Sequence, residues 1–233
     1  MPRPSRSTCA PCSRRRSTRR ASPLARLAEP TTGKPMTLLT LTPSTRETAA
    51  QRRASTAADT LFTRHGVTPV TMDDIAVEAG LALDELTAAY PSKRALVVAV
   101  LQRWHGAWRR ALDGIARASD DPRDEVLGVF GYLEQCFADE GWRGCAFING
   151  HAELGRTDPA IAELAQAHFA DVEAHLTQLC ARAGVPSHVA QALSLLVEGA
   201  RVESAVQRSA QPARAARLGA AMLLSVYEAH PAA

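Results

Sequence analysis

The sequence predicts an all-α protein in which a small helix-turn-helix unit precedes a larger helical domain. Three observations carry that expectation. From residue 43 onward the eight prolines fall between apolar helical patterns rather than inside them, where proline breaks no internal hydrogen bond. No stretch shows convincing period-two alternation, and no Asn-Gly or Asp-Gly turn links two apolar runs, so hairpin signals are lacking. Residues 71–90 join two short helical patterns through Gly80, with Ala76 and Ala79 small enough to let the helices cross closely.

The helix starts can be justified in order. Ser44-Thr45-Arg46-Glu47 reads as a capping box in which Ser44 and Glu47 satisfy each other's exposed backbone amides. Ala50, Ala54, Ala57, Ala58, Leu61 and Phe62 then recur at helical spacing up to Gly66. Thr71-Met72-Asp73-Asp74 is a second such start, and Ile75, Leu81 and Leu86 are expected to fill the small core behind it. Pro91 separates a short helix ending near Tyr90 from a long one running from Ser92 to about Ser119. Asp121-Pro122 and Asp158-Pro159 each place a capping acid before proline at the first helical position. Pro186-Ser187 and Gln211-Pro212 open the last two helices, and Pro231 follows the end, for about nine helices in all.

A chain of 233 residues with 46% hydrophobic and 22% charged residues is ordinary for a globular protein able to bury a core. No run of 18 apolar residues suggests a membrane span. Cys9, Cys12, Cys136, Cys145 and Cys180 are too scattered for a disulfide scaffold, so a reducing cytoplasm is the expected compartment. The formal net charge of +3 hides a split: residues 1–43 carry nine bases and one acid, whereas residues 44–233 carry 18 bases and 23 acids.

Residues 1–43 therefore read as a disordered basic tail, rich in proline, serine and arginine over residues 1–35. Three readings stay open for it. It is an arm that grips DNA phosphates, a targeting sequence without a secretory apolar region, or upstream sequence before a true start at Met36. Cys9-Ala-Pro-Cys12 is a lone pair without a second, and zinc is not expected there.

The stretch Thr71–Gly80, followed by Tyr90-Pro91-Ser92-Lys93 and Ala95-Leu96, resembles the TetR family of bacterial transcriptional regulators over about fifty residues, Ser44 to Leu101. A shorter stretch, Gly144-Cys145-Ala146-Phe147-Ile148-Asn149 with Glu153, is similar to a motif in one subgroup of TetR-like regulatory domains. The resemblance implies a homodimer. Residues 44–95 would bind a double-stranded DNA operator, and residues 96–230 would bind a small-molecule effector and form the dimer. Effector binding in such proteins changes the spacing of the two heads and releases the operator, most often relieving repression.

The reading helix departs from the family pattern. Family members commonly carry Ser or Thr at position 82, a small residue at 84, Tyr at 87 and a basic residue or His at 88 or 89. Here those positions are Ala82, Asp84, Thr87, Ala88 and Ala89, with Leu83 and Glu85 beside them. Residues 44–95 hold six bases and seven acids, whereas a DNA-binding domain normally displays a basic footprint. Two readings follow. In one, Arg46, Arg52, Arg53, Thr71, Tyr90, Lys93 and Arg94 serve DNA contacts, with helix-start amides helping on phosphate. Asp84 or Glu85 then accepts from cytosine N4 and the Thr87 methyl touches thymine. In the other, the protein is a small-molecule sensing module with a vestigial head.

In the larger domain, Leu96, Val97, Val100, Leu101, Trp104, Trp108, Leu112 and Ile115 form a stripe that is either plain core or, at the tryptophans, a pocket wall. Candidate pocket residues are Trp104, Trp108, Phe130, Phe147, Asn149, Glu153 and His168, with Tyr132 and Phe137 as companions. His168, Asp171 and His175 share a helix face at metal-ligand spacing, with His151 or Glu153 as further ligands, although boundary histidines more often make ordinary hydrogen bonds. Cys145 is a redox sensor if exposed and a plain buried thiol if not. The stripes Val189, Leu193, Leu196, Val197, Ala200 and Leu218, Ala221, Met222, Ser225, Val226 suit a dimer interface through the last two helices, with an intramolecular core as the alternative. No P-loop, dinucleotide fingerprint, G-x-S-x-G or H-E-x-x-H is present, so neither catalysis nor a cofactor is expected.

Overall fold

The computed structural model describes residues 47–227. The basic tail, the Cys9–Cys12 pair, Ser44 and Arg46 lie outside the described residues. Nine α-helices and no strand occur among the described residues: α1 (Ala49–His65), α2 (Met72–Ala79), α3 (Leu83–Ala89), α4 (Lys93–Ala118), α5 (Pro122–Phe137), α6 (Ala146–Leu154), α7 (Pro159–Arg182), α8 (Ser187–Gln207) and α9 (Gln211–Ser225). No helix among them is long and apolar enough to cross a membrane.

Local side-chain chemistry sets most boundaries. Thr71 caps α2 by accepting from Asp74 N at 3.1 Å, while Asp74 accepts from Thr71 N at 2.9 Å. The hydrogen bonds from Thr71 hold the Asp74 carboxyl below the usual range. Ser92 caps α4, and Asp121 and Asp158 cap α5 and α7 ahead of Pro122 and Pro159. The first helix starts later than the sequence suggests. Its capping box is Thr48 with Gln51, not Ser44 with Glu47. Both pairs fit the same four-residue pattern, and Glu47 instead accepts from Ser55 Oγ at 3.0 Å.

Helices α1 to α3 form a small head around Ala54, Ala58, Ile75, Ala79, Leu81 and Leu86, closed by Leu96 and Val100 of α4. Ile75 and Leu86 are fully buried, each contributing roughly 1.5–3 kcal/mol. Gly80 ends α2 at φ 60°, and a Cβ there would meet Arg53 Nη2 at 2.9 Å. Arg53 binds across that turn, donating to the carbonyls of Ala79 and Gly80.

The long α4 takes part in three apolar clusters in succession. Leu96 and Val100 belong to the head, Val97 and Leu101 join Val67, Phe147, Ile161 and Leu164, and Trp108 and Leu112 enter the main core. That main core is built from α5, α7, α8 and α9 around Phe130, Leu133, Leu176, Leu193 and Val197.

The expected α8 interface stripe is corrected here. Val189, Leu193, Val197 and Ala200 are buried in the chain's own core, against Ala213, Ala216, Ala220 and Leu224 of α9. Leu196 is half-buried against the same core. Periodicity locates an apolar face but not what covers it. The exposed apolar residues of α8 are Leu195, Val202 and Val206, and those of the α9 end are Leu218, Met222 and Val226.

Candidate functional site

The exposed faces of α2 and α3 carry mostly polar residues. Among the described residues 47–95 there are five bases and seven acids, and most of the bases are engaged internally. Lys93 Nζ donates to the carbonyls of Val67 (3.0 Å), Thr68 (3.0 Å) and Val70 (2.8 Å). Those bonds occupy all three ammonium protons. Arg94 is held by Asp158, with Nη2 3.2 Å from Oδ1, and Arg53 by the Gly80 turn. Arg52 is exposed and lies 3.8 Å from the Glu47 carboxylate.

On α3, Asp84 Oδ1 accepts from the Glu85 amide at 2.9 Å, and Thr87 Oγ1 donates back to the Leu83 carbonyl at 2.9 Å. The Thr71 hydroxyl is committed to its capping box. Tyr90 is half-buried, and burial raises its phenol pKa. Two apolar side chains that sequence reasoning left unassigned are exposed on the head: Val77 at 82% and Leu83 at 44%.

Between α1, α4, α5, α6, α7 and α8 lies a cavity of about 830 Å³. Trp104, Trp108, Phe147, Asn149, Glu153 and His168 line it, as does Tyr132. Phe130 does not. It is fully buried on the core face of α5 with Val126 and Val129, so its ring completes the core rather than the wall. Phe137 is likewise core, stacked at a tilt on Trp142 with centroids 4.8 Å apart. All three tryptophans of the chain, Trp104, Trp108 and Trp142, line the cavity. Trp104, 39% exposed, donates through Nε1 to Asp59 at 2.9 Å.

The motif at residues 144–153 shapes one wall and reaches the head. Gly144 has φ 101°, and a Cβ there would crowd Ala205 at 3.2 Å. Asn149 Nδ2 donates to the Arg143 carbonyl at 3.1 Å, closing the turn before α6. Glu153 Oε2 accepts from Val67 N (2.8 Å), Thr68 N (2.9 Å) and Thr68 Oγ1 (3.1 Å). The loop between α1 and α2 is thus gripped by the Glu153 carboxylate on its amides and by Lys93 on its carbonyls.

Deep in the cavity, His168 stacks on Phe147 with centroids 3.9 Å apart and planes 5° apart. Its Nε2 lies 3.4 Å from Arg201 Nη1, and its Nδ1 lies 3.2 Å from His105 Nδ1. An arginine only donates, so His168 Nε2 accepts, Nδ1 carries the proton, and His105 accepts at Nδ1. Burial, reinforced by the Arg201 and His105 charges, pushes the His168 pKa down to about 2. Burial also lowers His105 and His175.

The metal alternative does not assemble. Asp171 is tied to Arg109 at 2.7 Å and Glu153 to the loop. No group of three or more His, Cys, Asp or Glu side chains suited to a metal occurs among the described residues. Of the two readings of Cys145 the structure selects the plain buried thiol, whose pKa is raised by that burial, which disfavours the reactive thiolate.

Comparison with known proteins fits this geometry. Residues 56–100 match the family model for bacterial regulatory proteins of the tetR family. The helix-turn-helix head is a TetR-family domain. The solved structures similar to the chain include a TetR-family transcriptional regulator from Streptomyces coelicolor, SCO4454, at 22% identity and TM-score 0.72, covering 77% of this chain and 90% of that one. Escherichia coli NemR in its reduced form matches at 20% identity and TM-score 0.66, over 76% and 98% of the two chains. A SmeT–triclosan complex matches at 20% identity and TM-score 0.65, over 77% and 91%. No curated protein sequence matches. The fold is TetR-like, and its head carries the match to the family model.

A histidine held neutral in the fold takes up its proton only on unfolding, so stability is full above about pH 6.5 and falls as the pH drops below it. His168 alone then accounts for a loss of about 2 kcal/mol by about pH 5, a fall in Tm of about 4–8 °C. Thermal unfolding followed across that range checks this, and the slope flattens in His168→Asn; a Tm independent of pH contradicts it. Glu153→Ala strands the Val67 and Thr68 amides and is expected to cost about 1–3 kcal/mol. Its readout is accelerated hydrogen exchange at those two amides.

Proposed function

We propose that the protein is a ligand-responsive transcriptional regulator of the TetR type, a homodimeric repressor released from its operator when a small molecule fills the cavity. The observation that carries this reading is Glu153. One side chain both lines the cavity and holds the loop that connects α1 to α2 of the TetR-family head. An occupant that shifts α6 by a fraction of a helical turn has a direct mechanical path to that loop, and α4 carries the displacement into Leu96 and Val100 of the head. Such a path biases two arrangements of the head only if the occupant prefers one of them. The triclosan held by SmeT is a small molecule bound to a protein of this fold, which supports the ligand-responsive part.

Operator reading on this view is not driven by a basic surface. Phosphate contacts fall to Arg46, Arg52 and the amides at helix starts, with Thr71 and Tyr90 beside them. Arg53, Lys93 and Arg94 act mainly by fixing the head's geometry. Glu85, with Asp84 beside it, accepts from cytosine N4, while Thr87 and the exposed Leu83 meet thymine methyls. The second reading, a sensing module with a vestigial head, is favoured by the same acidic face.

Fluorescence anisotropy of the full chain against DNA from its own promoter, with random DNA as control and several salt concentrations, separates the two. The regulator binds its promoter at least about 10³-fold more tightly than random DNA, with a modest salt slope. Glu85→Ala loses about 1–3 kcal/mol of that preference. Binding to neither DNA, or a Glu85→Ala variant that binds both more tightly, assigns the vestigial reading.

The dimer is proposed through the outward faces of α8 and α9: Leu195, Val202, Val206, Leu218, Met222 and Val226. These faces form a four-helix contact with a second copy. Met222→Glu places a charge in that contact and is expected to shift the protein from dimer to monomer in sedimentation equilibrium, with its helicity unchanged. A dimer that persists unchanged in this variant locates the interface elsewhere.

A further inference from the structure

The cavity contains a cation that its surroundings answer only in part. Arg201 is 5% exposed and lines the cavity. Both of its described hydrogen-bond partners, Glu198 Oε1 at 2.8 Å and His168 Nε2 at 3.4 Å, engage the single nitrogen Nη1. A guanidinium presents five N–H donors in a planar fork. Its counter-ion is set back: Glu198 is not part of the cavity wall, and its second oxygen, Oε2, is buried without a hydrogen-bond partner. Burial raises the Glu198 pKa, so the partner is a weakened anion. His168, held neutral, adds no charge of its own.

The other charged groups on the wall do not repeat this arrangement. Asp59 is engaged by Arg103 and Trp104, Asp139 by the Gly141 amide, and Glu153 by the loop amides. Glu140, Arg64 and Arg143 are accessible to water to a greater degree than Arg201. Around Arg201 the walls are flat and apolar: its guanidinium carbon lies 5.0 Å above the Trp108 ring, and Tyr132, Phe147 and Trp142 stand nearby on the same lining.

We propose that the cavity takes an organic monoanion with an aromatic body and a terminal carboxylate, and that Arg201 receives the carboxylate. A buried cation short of hydrogen-bond acceptors is costly, and a carboxylate meeting the guanidinium fork supplies two acceptors at once. The low dielectric that makes the isolated cation unfavourable also strengthens the pair formed on binding. Trp108, Tyr132 and Trp142 then cover the ring, which explains why apolar walls converge on a charge. A volume of about 830 Å³ admits a body of two or three fused or linked rings. This inference rests on the cavity being the effector site, and it adds the effector's chemical class.

The test is isothermal titration calorimetry of the full chain near neutral pH with three probes of one shape: biphenylacetate, biphenylethanol and biphenylethylamine. The expected order is carboxylate, alcohol, amine, with the carboxylate at least about tenfold tighter than the alcohol. Arg201→Met brings the carboxylate down to the level of the alcohol. Glu198→Gln removes the competing counter-ion and tightens the carboxylate alone. Should Arg201→Met fail to fold by circular dichroism, Arg201→Lys replaces it, retaining charge without the fork and giving an intermediate preference. Equal affinities, a preference for the amine, selectivity that survives loss of Arg201, or no binding by any of the three overturns the proposal. No DNA enters the measurement, so a failure of operator binding leaves this result standing. Biphenylethanol and biphenylacetate that bind alike sink the anion inference while leaving the regulator reading intact.

Discussion

The short loop between α1 and α2 is the constraint on which the rest of the molecule turns. Its amides and carbonyls have no helical partners, and buried or half-buried backbone groups must be satisfied somewhere. Glu153 takes the amides of Val67 and Thr68, and Lys93 takes the carbonyls of Val67, Thr68 and Val70. An acid from the larger domain and a base from the first turn of α4 thereby fix one loop from opposite sides. The arrangement also accounts for a cation at a helix N-terminus, where the macrodipole disfavours it. Three carbonyl bonds offset that cost. Because Glu153 also borders the cavity, backbone satisfaction and the link between head and cavity are carried by the same carboxylate.

The head's charge then reads differently from a simple count. Arg53 holds the Gly80 turn, Lys93 the loop, and Arg94 the start of α7 through Asp158. These bases serve the folding of a unit with a small core, five of whose buried side chains are alanines. A small domain buries little of its surface, so charge-assisted bonds to carbonyls compensate where apolar burial runs short. The acids on α2 and α3 are partly structural too, since Asp74 closes the capping box and Asp84 caps the amide of Glu85. Glu85 has no such role.

What was legible in the sequence was whatever acts locally. Thr71 with Asp74, Ser92, Asp121 with Pro122, and Asp158 with Pro159 each act within three residues, so a short window contains both partners. The Thr48 box escapes the sequence reading because a Ser44 pattern of the same form stands directly before it. Six of the seven proposed cavity residues line the cavity, since polar or aromatic groups on otherwise apolar helices are where walls tend to form. Phe130 was misplaced because spacing along α5 cannot say which apolar neighbour lies on the core side. Arg201 was invisible for a related reason. An arginine in an amphipathic helix reads as a solvated group, and only the fold reveals that α8 turns that face inward against His168 and Trp108. The same blindness put Val189 and Leu193 at an interface when they belong to the chain's own core.

The placement of the tryptophans has a spectroscopic corollary. Trp104, Trp108 and Trp142 account for all the indole in the chain, and every one borders the cavity. Indole emission, excited at wavelengths that tyrosine does not absorb, is therefore a report from that one place. The three are not equivalent: Trp104 is open to solvent and bonded to Asp59, Trp108 is buried under a guanidinium, and Trp142 is bonded to Ser204. Their differing polarity spreads the emission band, and a cation beside Trp108 quenches and shifts it. An occupant thus announces both its arrival and its depth by colour, and the protein is its own dye.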